Sequence, residues 1–289
     1  MPDQHVFSTL DAGRHGLTPA QLRSPRLVRP IRGIRISVES DGFHARLEAF
    51  AAHRPTDFAF SHTTAARLLG FPLPLDCGPE IHVSVPAGAR APVISGYVGH
   101  ALKRWSVIEA GCFPVTPPEQ TWLDLATMLR HEDVVIAADY LLSGNPSLTT
   151  IDRLRSMLAA SAGRRGAGRA RLALDRARVG SESPGETRLR LLLTDAGLPE
   201  PALNHRILDS AGRLVARVDL AYVEARIALE YEGDIHRVDR SIWMKDISRR
   251  EHVEDLGWRQ IRVTAADLRN PARLLIRLRR LLRSRLTHP

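Results

Sequence analysis

Cysteine is nearly absent. Cys77 and Cys112 are the two in 289 residues, and neither stands in a CxxC or Cys/His ligand spacing, so neither a disulfide framework nor a zinc site is supported. Both read as small core residues. Long apolar runs are missing as well: the best candidate for a membrane span, Val134 to Leu142, falls well short of roughly 18 residues and is interrupted by Asp139. No membrane partner is expected. The opening Met1-Pro2-Asp3-Gln4-His5 has neither a basic nor an apolar region of the export type, so a cytoplasmic location is expected. Lysine is scarce too, since all of the 41 basic residues except Lys103 and Lys245 are arginine.

What is present is ordinary globular material, with 44% hydrophobic and 25% charged residues. The length is about twice the roughly 150-residue prior for one domain, which points to two packed units or three small ones. The formal net charge of +9 is concentrated: Arg153 to Arg178 holds eight arginines against Asp175 alone, and Pro271 to Pro289 holds six and no acid. Charge gathered in two segments suggests a polyanion footprint, with solvated helix faces as the bland alternative.

The N-terminal 40 residues read as helix, helix, strand. Val6 to Arg14 forms one helix; Thr18 caps a second, with Pro19 at its first position and Leu22 near its end; apolar residues and arginines alternate in the second half of Leu27 to Ile36, as in a half-exposed strand. This winged-helix outline resembles the N-terminal domain of AbiEi-type antitoxins, the matching pieces being Thr18-Pro19-Ala20-Gln21-Leu22 and Arg32-Gly33-Ile34-Arg35. The four residues Arg23 to Arg26 are too few for the recognition helix that enters a major groove, so the unit is truncated.

Residues 41–158 read as a small α/β domain, with helices at Phe43 to His53, Thr63 to Leu69, Pro118 to Leu129 and Asp133 to Leu142, and strands at Ile81 to Val85 and Val93 to Val98. Ser61-His62-Thr63-Thr64-Ala65-Ala66 and Thr121-Trp122-Leu123-Asp124-Leu125-Ala126 resemble the remainder of the same antitoxin family. His62 reads as part of a helix start, not as chemistry. Residues 159–180 read as a basic linker, in which Gly163, Gly166 and Gly168 break any long helix before Arg169 to Arg178 can form one.

The C-terminal module, 181–289, carries the chemistry. Ser183-Pro184-Gly185-Glu186 opens a helix to Ala196; strands follow at Leu214 to Tyr222 and Ile227 to Glu232, then a helix from about Arg240 to Leu256, a strand at Arg259 to Thr264 and a helix from Asp267 to Leu286. A two-residue loop at Glu224-Ala225 and a four-residue loop at Val223 to Arg226 give the same hairpin register, in which Asp219 lies opposite Glu230. Alternation puts Glu232 on the face of Glu230, and Val218, Leu220, Tyr222, Ile227, Leu229 and Tyr231 on the other. Opposed like charges are unfavourable, and a divalent cation with hard oxygen ligands is one reason to keep them; an acidic face hydrated by solvent is the alternative.

From here the module resembles the PD-(D/E)XK nuclease superfamily, in the branch related to very-short-patch-repair endonucleases. The resemblance rests on Ser183-Pro184-Gly185-Glu186, Arg217-Val218-Asp219-Leu220-Ala221-Tyr222, Ala228-Leu229-Glu230-Tyr231-Glu232-Gly233 with His236, Asp246 with Arg249 and Arg250, and Leu256-Gly257-Trp258 before Arg262. It implies an α/β (α+β) fold with a mixed central sheet, a Mg²⁺ or Mn²⁺ ion on Asp219 and Glu230, and phosphodiester hydrolysis in DNA, in defence or repair. The alternative it leaves is a catalytically inactive DNA-binding regulator. The superfamily's Glu-x-Lys is here Glu230-Tyr231-Glu232, so the lysine is missing; His236 is the substitute base or donor. Glu186 joins the catalytic set or serves only in a capping box with Ser183. Arg249 and Arg250 are expected to steer phosphate. In the last helix Leu274, Leu275, Leu278, Leu281 and Leu282 form an apolar stripe, with Arg273, Arg277, Arg280 and Arg283 opposite; the first three of these arginines are the expected nucleic-acid contacts. The expected partner is nucleic acid, double-stranded DNA first, with a homodimer as a further option.

Overall fold

A computed structural model describes residues 6–9, 18, 20–37, 42–53, 57–144, 147–233 and 249–286 and shows a mixed α/β protein. The chain divides into two compact units, one of Met1–Asp133 with Asp152–Arg171 and the other of Val134–Ile151 with Leu172–Pro289.

The first unit opens with strand β1 (Val6–Ser8), where the sequence pattern predicts a helix. It pairs antiparallel with β3 (Ile34–Ser37), which also pairs with β2 (Leu27–Val28), in the order β1-β3-β2. Ile34 and Ile36 are buried, and pairing to this strand outweighs the local helical pattern. The expected second helix is one 3₁₀ turn, Gln21–Arg23. Next come α1 (Phe43–His53), β4 (Ala59–Phe60), α2 (His62–Leu68), β5 (Ile81–Pro86), β6 (Val93–Ile94), β7 (Tyr97–Leu102), β8 (Ile108–Ala110), β9 (Phe113–Val115) and α3 (Pro118–Leu125). The strands form a six-stranded mixed sheet, β6-β7-β5-β4-β9-β8, with β5 and β7 parallel. The expected single strand Val93 to Val98 is two, reversed about Gly96 at φ +77. Ile31, Ile34 and Ile36 share one core with Leu47, Phe50, Phe60, Ile81, Val83 and Val115.

α4 (His131–Ser143) is followed by α5 (Ile151–Ala160) and α6 (Ala167–Arg176), which occupy much of the expected linker. The buried Ala167, Ala170 and Ala173 give α6 an apolar face. Several arginines of this segment make internal bonds: Arg169 donates to the carbonyls of Ala126 and Leu129, Arg176 to Asp195, and Arg178 to Glu200. The two cysteines are not core residues: Cys77 is half-buried and Cys112 exposed, beside the β8–β9 turn.

The second unit is built on β10 (Ala202–Leu208), β11 (Leu214–Tyr222), β12 (Ile227–Glu232) and β13 (Arg259–Thr264), adjacent in that order. The sequence pattern does not predict β10. β10, β11 and β12 are antiparallel neighbours, and β13 lies parallel to β12. The pairs Leu220↔Leu229, Ala221↔Ala228 and Tyr222↔Ile227 follow the predicted register around a four-residue loop in which Arg226 has φ 47. One core joins Leu220, Tyr222, Ile227, Leu229, Ile261 and Val263 to α7 (Pro184–Asp195) and α10 (Ala272–Leu286). A second joins Ala216, Val218, Ala221 and Ala228 to Val253 of helix α8, described over 249–255. The expected final helix is broken into α9 (Ala265–Arg269) and α10, because Asn270 precedes Pro271 and adopts φ −134, ψ 72. In the same unit the fully buried Arg190 and Asp139 pair at 2.7 Å, and Thr187 and the Arg178 N–H also donate to the Asp139 carboxylate. No described helix is long and apolar enough to cross a membrane.

Candidate functional site

Ser183 caps α7 and its hydroxyl accepts the Glu186 N–H at 3.2 Å. The Glu186 carboxylate does not complete a reciprocal box with Ser183; it reaches back one residue further and accepts the Glu182 N–H at 2.8 Å. Glu186 is 6% exposed. Burial, with a further contribution from the charge of Asp219, raises its pKa above the ordinary glutamate value. Asn204 of β10 donates to the same carboxylate at 3.4 Å and also to the Gly180 carbonyl. Its φ of 47 marks where β10 leaves regular strand geometry, opposite Asp219 in the β10–β11 ladder.

Asp219 sits at a break in alternation. Ala216, Val218 and Ala221 pack in the α8-side core, whereas Leu220 and Tyr222 pack in the α7–α10 core. The expectation that Val218 shares a face with Leu220 is therefore corrected. Beyond the Leu220↔Leu229 pair, the Asp219 carboxylate accepts the Tyr231 N–H at 2.7 Å. Burial raises the Asp219 pKa, and the Tyr231 hydrogen bond and nearby Arg217 pull against it. Gly185 lets the Tyr231 ring lie against the start of α7: a Cβ there would overlap that ring.

The other carboxylates are paired with arginines. Glu230 lies 3.8 Å from Arg249 of α8, and Glu232 lies 2.7 Å from Arg262 of β13. Glu182, not singled out from sequence, makes a two-pronged bond with Arg217 at 2.6 and 2.7 Å. Arg250 follows Arg249 in α8 and is half-buried. His236 and Asp246 lie outside the described residues. Thus Glu186, Asp219 and Glu182 belong to one electrostatic neighbourhood, and Glu230 and Glu232 each have a guanidinium. Among the described residues, the one set of three metal-ligand side chains with donor atoms within 4.8 Å of one another is His62, His82 and His100, so Asp219, Glu230 and Glu232 do not form such a set.

Arg273, Arg277 and Arg280 of α10 line a groove of about 450 Å³ with Arg262, Asp267, Leu274 and Ile276. The apolar stripe of α10 is as expected: Leu274, Leu278 and Leu282 are buried, and Leu275 and Leu281 partly so. Arg279 and Arg285 differ from the groove arginines, because Arg279 bonds the Ala196 carbonyl and Arg285 those of Ala225, Arg226 and Gly257.

The histidine cluster belongs to the first unit. His62 opens α2, His82 lies on β5 and His100 on β7. His62 stacks on His100 with ring centroids 3.8 Å apart, and the His82 Nδ1 lies 3.0 Å from the His100 Nε2. Burial lowers all three pKa values: His62 to about 2 and His100 to about 4, with neighbouring histidines adding to both, and His82 in the same direction. The sequence assigned His62 a helix-start role only; three histidines on three elements show no spacing motif, because the pairing of β5 with β7 brings them together.

No family model matches the chain. Two sequences from Mycobacterium tuberculosis, "Uncharacterized protein MT2308" (strain CDC 1551 / Oshkosh) and "Uncharacterized protein Rv2248" (strain ATCC 25618 / H37Rv), are each 29% identical to it over 265 residues, covering 90% of this chain and 94% of theirs. The crystal structure of RV2827C protein from Mycobacterium tuberculosis is similar with a TM-score of 0.46 and 18% identity, over 72% of this chain and 85% of that one. At 90% coverage, sequence from both compact units is shared with the two mycobacterial sequences.

Proposed function

We propose that the second unit is a PD-(D/E)XK-like, divalent-metal-dependent endonuclease acting on DNA, following an N-terminal winged-helix-like and antitoxin-like region. The observation that carries this reading is the groove of Arg262, Arg273, Arg277 and Arg280, joined through the 2.7 Å Arg262–Glu232 bridge to the strand that also bears Glu230. A row of guanidinium groups suits phosphate oxygens, and its neighbour is a set of carboxylates.

Mg²⁺ or Mn²⁺ fits the residues present. Asp219 and Glu230 offer hard oxygen donors, and the Asp219 charge that works against ionisation of Glu186 is one a cation would offset. When bound, the ion supplies stabilisation of charge developing on the phosphoryl oxygens. The Tyr231 N–H fixes the Asp219 carboxylate, and Asn204 with the Glu182 N–H fixes Glu186. Arg249 stands beside Glu230, positioned to hold a phosphate oxygen once the acid is engaged elsewhere. Arg262 provides a cation beside Glu232, the position where the superfamily has lysine. His236 enters as general base or donor on the sequence resemblance.

The bridge between Glu232 and Arg262 also favours a second reading, a DNA-binding regulator that no longer cleaves, since a carboxylate in the lysine position cannot stabilise an anionic transition state. Supercoiled plasmid incubated with the protein and Mg²⁺ or Mn²⁺ separates the two. Nicking that is lost in Asp219→Asn and in Glu230→Gln supports the nuclease. Plasmid retardation without nicking supports the regulator.

A further inference from the structure

The geometry points to a transition-metal site in the first unit, in which His62, His82 and His100 hold one Zn²⁺-class divalent ion through three imidazole nitrogens. These residues are separate from the carboxylates of the second unit and lie in the other compact unit.

Three observations carry it. First, one nitrogen from each ring falls within 4.8 Å of the others, and His82 and His100 approach at 3.0 Å. Two nitrogens on a tetrahedral ion at about 2.0–2.1 Å lie about 3.3 Å apart; binding therefore opens the His82–His100 hydrogen bond and turns the stacked His62 ring so that the three lone pairs converge on the ion. The sheet enforces the closeness: β5 and β7 run parallel with His82 beside Val98 and Ser84 beside His100, so the two rings share a face. Second, a carboxylate stands behind the cluster in the manner of an outer-shell partner. Asp124 is fully buried; Arg164 at 2.5 Å and Gln120 at 2.7 Å hold its Oδ1. Its buried Oδ2 has no hydrogen-bond partner among the described residues and lies 3.8 Å from the His62 Nδ1, which bonds the Ser61 hydroxyl at 3.0 Å and so leaves Nε2 as the ligating nitrogen of His62. A carboxylate aimed at a ligating histidine orients the ring and raises its basicity. Third, His62 has φ 51 at the start of α2, a strained conformation for a non-glycine residue, and this conformation accompanies its ring lying on His100.

Imidazole donors select Zn²⁺, Co²⁺, Ni²⁺ or Cu²⁺ over Mg²⁺, so this site and the carboxylate site differ in the metal they take. His62 and His82 are each 6% exposed, and His82 also lines a pocket of about 240 Å³ with Thr63, Asp76, Cys77, Glu80 and Asp133, a route to solvent. An ion here ties α2, β5 and β7 together and stabilises the folded unit by mass action.

The test is Co²⁺ titration of the chelator-treated full chain, read by visible ligand-field absorption, with competition by Zn²⁺ and thermal melting alongside. One equivalent of Co²⁺ should bind, Zn²⁺ but not excess Mg²⁺ should displace it, and Zn²⁺ should raise Tm. His100→Gln, at the half-buried member, should weaken binding more than about tenfold. Asp219→Asn with Glu230→Gln should leave the signal unchanged, which separates this site from the proposed nuclease centre. X-ray absorption of the Zn²⁺-loaded wild type supplies a reading independent of variants, with three imidazole ligands expected. Fewer than three, unaltered Co²⁺ binding in His100→Gln, or neither absorption bands nor a Tm shift in the wild type overturns the assignment.

Discussion

The Asp219 carboxylate accepts the backbone N–H of Tyr231 at 2.7 Å, a side chain taking the place of a ladder partner where β11 and β12 part. This bond makes Asp219 both a structural acceptor and a candidate metal ligand, and the two roles separate by substitution. Asp219→Asn keeps an oxygen acceptor, so metal-free Tm should stay within about a degree or two of wild type, while plasmid nicking and Mg²⁺- or Mn²⁺-induced stabilisation are lost. Asp219→Ala orphans a partly buried N–H and should cost about 1–3 kcal/mol in denaturant melts. Equal stability of the two variants would show that the hydrogen bond contributes nothing.

Gly185 makes room for the Tyr231 ring at the start of α7. A methyl at Gly185→Ala overlaps the Tyr231 ring, and overpacking of this kind costs about 1–3 kcal/mol. Tyr231→Ala in the Gly185→Ala background should recover part of that loss, giving a coupling in a double-mutant cycle that independent sites do not show.

Replacing Arg273, Arg277 and Arg280 together by Gln should flatten the dependence of log K for DNA on log salt by up to about three units, roughly 0.9 for each duplex phosphate that the variant no longer neutralises. The weakening should be equal on unrelated duplexes, because phosphate recognition carries no sequence information. Arg279→Gln and Arg285→Gln should instead lower stability, since these side chains hold backbone carbonyls. An unchanged slope in the triple variant would mean that the groove does not face the nucleic acid.

Asp267 gives a pH signature. Its carboxylate accepts the Thr264 N–H at 2.9 Å and the Thr264 hydroxyl at 2.8 Å, and these bonds hold its pKa below the ordinary value of 3.8, with Arg273 and Arg277 adding to the effect. Because the folded state lowers the pKa, the stabilisation is complete above the unfolded value and is lost as pH falls through the folded one. Asp267→Ala should cost about 0.5–2 kcal/mol at neutral pH, as for loss of a cap, with the difference from wild type shrinking below about pH 3.8. A pH-independent difference would mean that the carboxylate's charge plays no part.

Much of the second unit was legible along the chain, because its signals are local. The hairpin register follows from alternation and loop length, and the start of α7 from Ser183. The leucine stripe of α10 follows from the 3.6-residue period, although that period alone does not show the break that Pro271 imposes before it. Only the tertiary structure decided the rest. A three-residue strand at Val6–Ser8 pairs with β3, where the pattern over Val6 to Arg14 reads as a helix. The alternation break at Asp219 lies beside Asn204 of β10, which leaves regular strand geometry at the neighbouring ladder position. The charge count named two basic segments alike, but the contacts sort their arginines individually: Arg169, Arg176 and Arg178 in the first and Arg279 and Arg285 in the second make internal bonds, whereas Arg273, Arg277 and Arg280 line a groove. His62, His82 and His100 share no spacing motif, and the parallel pairing of β5 with β7, with α2 packed alongside, brings them together. The sequence by itself determined periodicity, caps and turns, which act over a few residues; juxtaposition of distant side chains depends on which strands pair, and that choice is made by burial of the whole core.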